Sequence, residues 1–192
     1  MKRYVVAFLL FTVLFSISKA QEHMMFMKIP IDGTLSGFAA KMKAKGFTQI
    51  AADKNLIVME GEFMGKECEI GLHGTIQTNV IWKVSVFLKK SYTSWYSLKS
   101  EYKRIVDSYT EKYGFPTDKY EFFSRPYYEG DGYEIQALKV GKCTYSNFWM
   151  NVEEGNIEIS MTQSAKIKIG YEDLINGEKQ EEEKQKQIND DI

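Results

Sequence analysis

The chain has 192 residues, of which 44% are hydrophobic and 27% are charged, a composition typical of one folded domain rather than of a disordered chain. The 25 basic and 26 acidic residues leave a formal net charge of −1, which argues against a nucleic-acid-binding protein. Because the chain has only two cysteines and two histidines, we expect neither a metal site nor another cofactor.

The first 20 residues have the composition of a secretory signal peptide. Lys2 and Arg3 precede a 13-residue, almost purely apolar stretch over residues 5–17, and the small residues Ser18 and Ala20 follow it. This stretch is shorter than the roughly 20 residues that span a bilayer. We therefore expect cleavage after Ala20 and export of a soluble chain, without a transmembrane segment, to the periplasm or the extracellular space.

The remaining chain begins with a short extended segment over residues 24–31, and a helix is predicted after it. Asp32 or Thr34 can cap this helix, and Gly46 is placed to end it. Its apolar positions recur at helical spacing: Leu35, Phe38, Ala39 and Met42. Residues 47–89 then alternate between apolar and polar side chains, which predicts three or four antiparallel strands with one solvated face.

A second helix is predicted between Thr93 and Gly114, where aromatic and aliphatic residues recur at spacings of three and four. Alternating segments predict further strands at residues 120–124, 133–140, 144–152 and 157–161. Residues 172–192 hold eight acidic and three basic residues and few apolar ones. This composition predicts a charged, flexible tail, either a frayed helix or a disordered segment.

This order of elements predicts an α+β fold in which two helices pack on one face of an antiparallel sheet. We expect a single domain over residues 21–171, followed by the charged tail. Because a helix followed by strands occurs twice, residues 26–89 and 93–163 are possible αβββ-type repeats.

The two cysteines, Cys68 and Cys143, could form a disulfide, because an exported chain encounters oxidising conditions. They lie 75 positions apart, and a bridge closing so long a loop would contribute about 4–5 kcal/mol in the chain-entropy model. The alternative is that both are small, buried hydrophobic residues.

Residues 26–47 contain an I-P-I-D-G turn followed by a helix that ends in K-G-F. In these features the segment resembles the opening of small uncharacterised exported bacterial proteins. The repeated order of a helix followed by strands resembles the layout of the β-lactamase inhibitor protein family. These resemblances imply export and an α+β fold built from two similar units.

Tyrosine is dense in the middle of the chain, where nine of the 12 tyrosines lie between Tyr92 and Tyr133. Its broad apolar ring and polar tip favour it in recognition surfaces. Tyrosines on the stripe of the second helix are expected in the core, whereas those beside the loop at residues 125–133 are candidates for binding. The predicted binding residues are Trp95, Arg125, Tyr127, Tyr128 and Tyr133, with Arg125 able to donate to a carboxylate.

The sequence contains no nucleophile-elbow, zinc-protease, phosphate-loop or dinucleotide-binding motif. We therefore expect no catalytic residues, and an exported binding or accessory protein whose partner is a protein or a glycan. The alternative is a carboxylate-based hydrolase such as a carbohydrate-active enzyme. Its candidate acids are Glu60, Glu62, Glu67 and Glu69. A third possibility is a structural subunit whose aromatic residues pack against another chain.

Overall fold

The computed structural model describes residues 22–192, so the predicted signal peptide lies outside the described residues. Over this range the chain forms ten strands and four helices. In chain order they are β1 (Met25–Phe26), β2 (Ile29–Pro30), α1 (Leu35–Ala44), β3 (Thr48–Asp53), β4 (Leu56–Phe63), β5 (Lys66–Gly74), β6 (Ile81–Leu88), α2 (Trp95–Tyr113), β7 (Asp118–Phe123), α3 (Glu134–Lys139), β8 (Cys143–Val152), β9 (Gly155–Met161), β10 (Ile167–Asp173) and α4 (Leu174–Asp191).

Eight strands form one sheet in the order β3-β4-β5-β6-β10-β9-β8-β7, while β1 and β2 form a separate hairpin. Every neighbouring pair in the large sheet is antiparallel. The prediction of an α+β chain built on an antiparallel sheet is therefore confirmed. In each half of the sheet four strands follow one long helix, and the halves meet where β6 pairs with β10. The strand β10 follows the segment assigned to the second repeat and was not predicted.

The two long central helices begin and end at residues whose chemistry favours these positions. The Thr34 hydroxyl accepts a hydrogen bond from the Gly37 amide at 3.1 Å and so caps α1. The Ser94 hydroxyl accepts a hydrogen bond from the Ser97 amide and so caps α2. Gly114 ends α2 with a φ of +83°, a left-handed conformation that favours glycine.

The number and packing of the helices differ from the prediction of two. Residues 133–140, predicted as a strand, contain α3, because an apolar run this short does not distinguish the two structures. The charged tail, predicted as either a frayed helix or a disordered segment, contains α4 over residues 174–191, and Asp173 caps this helix. Gln180 and Glu183 on this helix accept hydrogen bonds from backbone amides of the turn before β6. Polar contacts therefore hold α4, which explains why apolar periodicity did not reveal it.

None of the helices in the described part of the chain combines the length and apolar character needed to cross a membrane.

Successive side chains of each strand point to opposite faces of the sheet. Helix α2 packs on the first face, where Tyr102 lies 5.8 Å from Tyr145 and Tyr109 lies 5.9 Å from Trp149, measured between ring centroids. These side chains belong to a core of buried residues that extends across the sheet. The opposite positions form a second face, which is polar and partly exposed; Glu158 and Lys168 are two of its residues.

Cys68 and Cys143 are buried free thiols, so the predicted disulfide does not form. Cys68 lies in β5 and Cys143 in β8, which are separated by four strand spacings, or about 19 Å. A disulfide requires Cα atoms within about 7 Å. Burial raises the pKa of Cys68 to about 11 and that of Cys143 to about 12. The alternative of two small buried residues therefore describes these cysteines.

Candidate binding surface

The loop over residues 124–133, which carries most of the predicted binding residues, is ordered by three carboxylates. Asp131 accepts hydrogen bonds from the amides of Tyr128 and Tyr133 at 3.0 and 2.7 Å. Glu134 accepts one from the Gly130 amide at 2.8 Å. Glu129 accepts hydrogen bonds from Lys99 and Tyr145, and the Lys99 ammonium lowers the pKa of Glu129.

The structure separates the five predicted residues into two groups. Trp95 is half-buried, with its ring centroid 5.4 Å from that of Phe123 and 5.1 Å from that of Tyr145. Tyr127 is also half-buried, against the hydrophobic core. Both residues thus pack inward against the core.

The remaining three predicted residues, Arg125, Tyr128 and Tyr133, are exposed. Arg125 lies two residues beyond the end of β7, and Tyr128 and Tyr133 have most of their surface in solvent. The loop therefore presents a cation and two phenol groups, without the indole of Trp95. Trp95, Tyr127 and Tyr128 are therefore not exposed together.

A group of apolar side chains that was not predicted lies beside this loop, on the second face of the sheet. It consists of Tyr120, Phe122, Phe148 and Met150, which we call the edge patch. Tyr120 is 48% exposed and Phe122 is 50% exposed, and the rings of Tyr120 and Phe148 lie 6.0 Å apart in an edge-on arrangement. Large apolar side chains grouped in this way on a surface are typical of interaction sites.

The edge patch forms because β7 and β8 pair antiparallel, with Tyr120 opposite Ser146 and Phe122 opposite Thr144. Alternation in β7 directs Tyr120 and Phe122 away from the first face, to which Phe123 contributes. The strand β7 is an edge of the sheet, so its outward side chains have neighbours on one side only.

Ion pairs between strands occupy the centre of the second face. Lys83 Nζ lies 3.1 Å from Glu172 Oε2, and Lys168 Nζ lies 2.7 Å from Glu158 Oε2. Burial of Glu158 opposes its ionisation, but the hydrogen bonds from Lys168 and Ser160 outweigh burial and lower its pKa. These charges remain paired and give the second face an alternating pattern of positive and negative groups.

A cavity of about 160 Å³ joins the edge patch to the ion pairs. Phe148 and Met150 line it on one side, and Glu158 and Glu172 line it on the other. Gly170 forms part of its base, where a residue with a side chain would partly fill the space. Small-molecule sites usually have 300–1,000 Å³, so this cavity has the size for one side chain of a partner.

The acids of the hydrolase hypothesis lie on β4 and β5. Glu60, Glu62 and Glu67 border a depression of about 380 Å³. Lys89 Nζ lies 2.6 Å from Glu60 Oε2, and Glu62 and Glu67 are exposed. Glycosidase chemistry needs two acids held on either side of the scissile bond, whereas Glu60 is paired with a lysine and Glu62 and Glu67 extend into solvent.

The second face also brings His73 and Ser85 together, with 3.2 Å between His73 Nε2 and Ser85 Oγ. Burial, together with Lys83 and Lys168, lowers the pKa of His73 to about 4, so the imidazole is neutral at pH 7. Serine nucleophiles also need a group that orients the second ring nitrogen, and no hydrogen bond to His73 Nδ1 occurs within residues 22–192. The same residues contain no metal-binding cluster of His, Cys, Asp or Glu.

Comparison with known proteins gives no match: no family model, no curated protein and no solved structure is significantly similar to the chain.

Proposed function

We propose that the chain is an exported, non-enzymatic binding protein that contacts a protein partner through the edge patch. The observation that carries this proposal is the group of exposed apolar side chains beside a cavity of side-chain size. Protein interfaces concentrate their binding energy in aromatic anchors and in the pockets that receive them. The edge patch supplies the anchors, and the cavity can receive one from the partner.

The lining of the cavity could accept a long basic side chain of the partner in place of a lysine that is now paired with one of its carboxylates. Glu158 and Glu172 line the cavity together with the ring of Phe148. An arginine placed there could donate to a carboxylate while its guanidinium contacts the aromatic ring. Lys83 also lines the cavity, so the ion pair with Glu172 would rearrange when such a side chain enters.

The exposed loop residues Arg125, Tyr128 and Tyr133 extend the proposed contact surface beyond the end of β7. Export, to the periplasm or beyond, remains part of the proposal and depends on the signal peptide predicted for residues 1–20. The hydrolase alternative is less well supported, because Glu60 is paired with Lys89.

Site-specific photocrosslinking in the cells that produce the protein tests the proposal. A photoreactive phenylalanine analogue at position 122 should give a discrete crosslinked product, which the additional change Tyr120→Ser should remove. The matched control is position 115, because Phe115 is 89% exposed and lies outside the edge patch. Equal crosslinking from positions 122 and 115, or none from position 122, would contradict the proposal.

A further inference from the structure

A second, larger cavity lies at the opposite side of the sheet, between β1–β2 and the end of α2. Its volume is about 450 Å³, within the range of small-molecule sites. We call it the hairpin groove. The side chains that line its apolar part are Met25, Met27, Phe63, Met64, Tyr109 and Tyr171.

Three tight turns form the rim of the hairpin groove. Each joins two antiparallel strands through two residues that both have positive φ: Met27-Lys28, Met64-Gly65 and Glu153-Glu154. Turns of this type favour Asn, Asp or Gly at the central positions. Five of the six positions here carry a larger side chain at a conformational cost, and Met27, Lys28, Met64 and Glu153 line the groove.

The methionines and aromatic rings make the interior of the groove suitable for an apolar chain. Met25 and Met64 are 45% and 40% exposed, and methionine adapts its shape to varied apolar ligands. Tyr109 and Tyr171 are buried and hydrogen-bonded to each other, so their hydroxyl groups are satisfied and do not require a polar ligand.

The charges at the mouth of the groove favour an anion. Lys28 is exposed and has no ion-pair partner among residues 22–192. Lys112 Nζ lies 2.6 Å from the Tyr113 hydroxyl and 3.6 Å from Glu153 Oε2. Two cations and one carboxylate leave a local charge of +1, which is complementary to one negative group.

We propose that the hairpin groove binds an amphipathic monoanion with a single unbranched apolar chain, such as a medium-chain carboxylate. The chain lies among the methionines and aromatic rings, and the carboxylate contacts Lys28 and Lys112. This inference is independent of the proposed function, because the hairpin groove and the edge patch share no residues.

Isothermal titration of the purified chain with decanoate, below its micelle concentration, tests the inference. We expect saturable binding of one decanoate per chain, with decanol and decylammonium binding at least tenfold more weakly. NMR of the methionine methyl groups should show shifts for Met25, Met27 and Met64. The resonance of Met150, which is 39% exposed on the second face, should not shift.

Two variants separate the apolar and the ionic contributions to binding. Met64→Asn should weaken decanoate binding about tenfold without loss of thermal stability, because Asn tolerates the positive φ at this position; Met150→Asn is its control. Lys112→Gln should weaken decanoate binding about fivefold and leave decanol binding unchanged. Lys103→Gln, which changes an exposed lysine on the same helix, is the matched control.

Absence of saturable binding, equal affinity for decanoate and decylammonium, or equal effects of the groove and control variants would overturn the proposal. Methyl shifts of Met25 and Met64 that depend on protein concentration rather than on decanoate would assign the groove to a second copy of the chain. That result would also overturn it.

Discussion

Replacement of Asp173 by alanine should strongly destabilise the fold, because this carboxylate joins three parts of the chain. Its side chain is fully buried. One oxygen accepts a hydrogen bond from the Met24 amide at 2.8 Å, and the other accepts one from the Asn176 amide at 2.8 Å. The second oxygen also lies 3.1 Å from His23 Nδ1. The start of the described chain, the end of β10 and the start of α4 thus meet at one side chain.

The size of the effect follows from the donors that Asp173→Ala leaves without a partner. Loss of a helix N-cap costs about 0.5–2 kcal/mol, and a buried amide without an acceptor costs about 1–3 kcal/mol. We therefore expect the free energy of unfolding to fall by about 3–4 kcal/mol, which for a chain of this size lowers Tm by about 10 °C. Asp173→Asn retains one acceptor oxygen and should lower the free energy of unfolding by about half as much as Asp173→Ala.

Chemical denaturation measures this loss, and amide hydrogen exchange locates it. Protection should decrease most at the amides of Met24 and Asn176. Asp32→Ala is the matched control, because the Asp32 side chain is 50% exposed and lies 3.7 Å from His23; it should change the free energy of unfolding by less than about 0.5 kcal/mol. A loss below 1 kcal/mol for Asp173→Ala, with unchanged exchange at both amides, would refute the reasoning.

Three further predictions concern the thiols, the imidazole and α4. Cys68 and Cys143 should not react with a thiol reagent in the folded chain, and denaturation without reductant should expose two reactive thiols; a mass that rises on reduction would contradict this. The His73 imidazole takes up a proton near pH 6.5 in the unfolded chain but only near pH 4 in the folded chain. His73 should therefore lower the free energy of unfolding by up to about 3 kcal/mol as the pH drops from 6.5 to 4. His73→Gln should remove this part of the pH dependence, and an unchanged profile would show that His73 does not cause it. Glu183→Ala should lower the free energy of unfolding by about 1–3 kcal/mol and increase hydrogen exchange in residues 174–191, because two backbone amides lose their acceptor. Unchanged exchange would show that these hydrogen bonds do not hold α4.

Patterns within one element predicted α1, α2 and many strands. The stripe that includes Leu98, Tyr102 and Ile105 predicts α2 and is buried as expected. Alternation over residues 144–152 predicts β8, which the structure extends by one residue to Cys143. Such elements are predictable because their buried positions follow a single period along the chain.

The helix α4 depends on contacts that the sequence does not encode locally. Polar side chains such as Glu183 hold α4 against a turn more than 100 residues earlier. The strand β10 does carry a signal, since Ile167, Ile169 and Tyr171 alternate with polar residues or glycine. The proximity of this strand to the charged tail concealed that signal.

The binding surface was only partly predictable for the same reason. The density of tyrosine directed the prediction to the residues around the loop at 125–133, but it could not show that Trp95 and Tyr127 pack inward. The edge patch combines residues of β7 and β8, and its formation depends on the register that places Tyr120 opposite Ser146. Strand register is a long-range property that alternation in one strand does not determine.

The affinity of the chain for the partner isolated by crosslinking tests the central claim most directly. We expect Phe122→Ser to raise Kd by at least about tenfold, as for an aromatic anchor, and Phe115→Ser to change Kd less than twofold. Equal Kd values for the two variants would contradict binding through the edge patch.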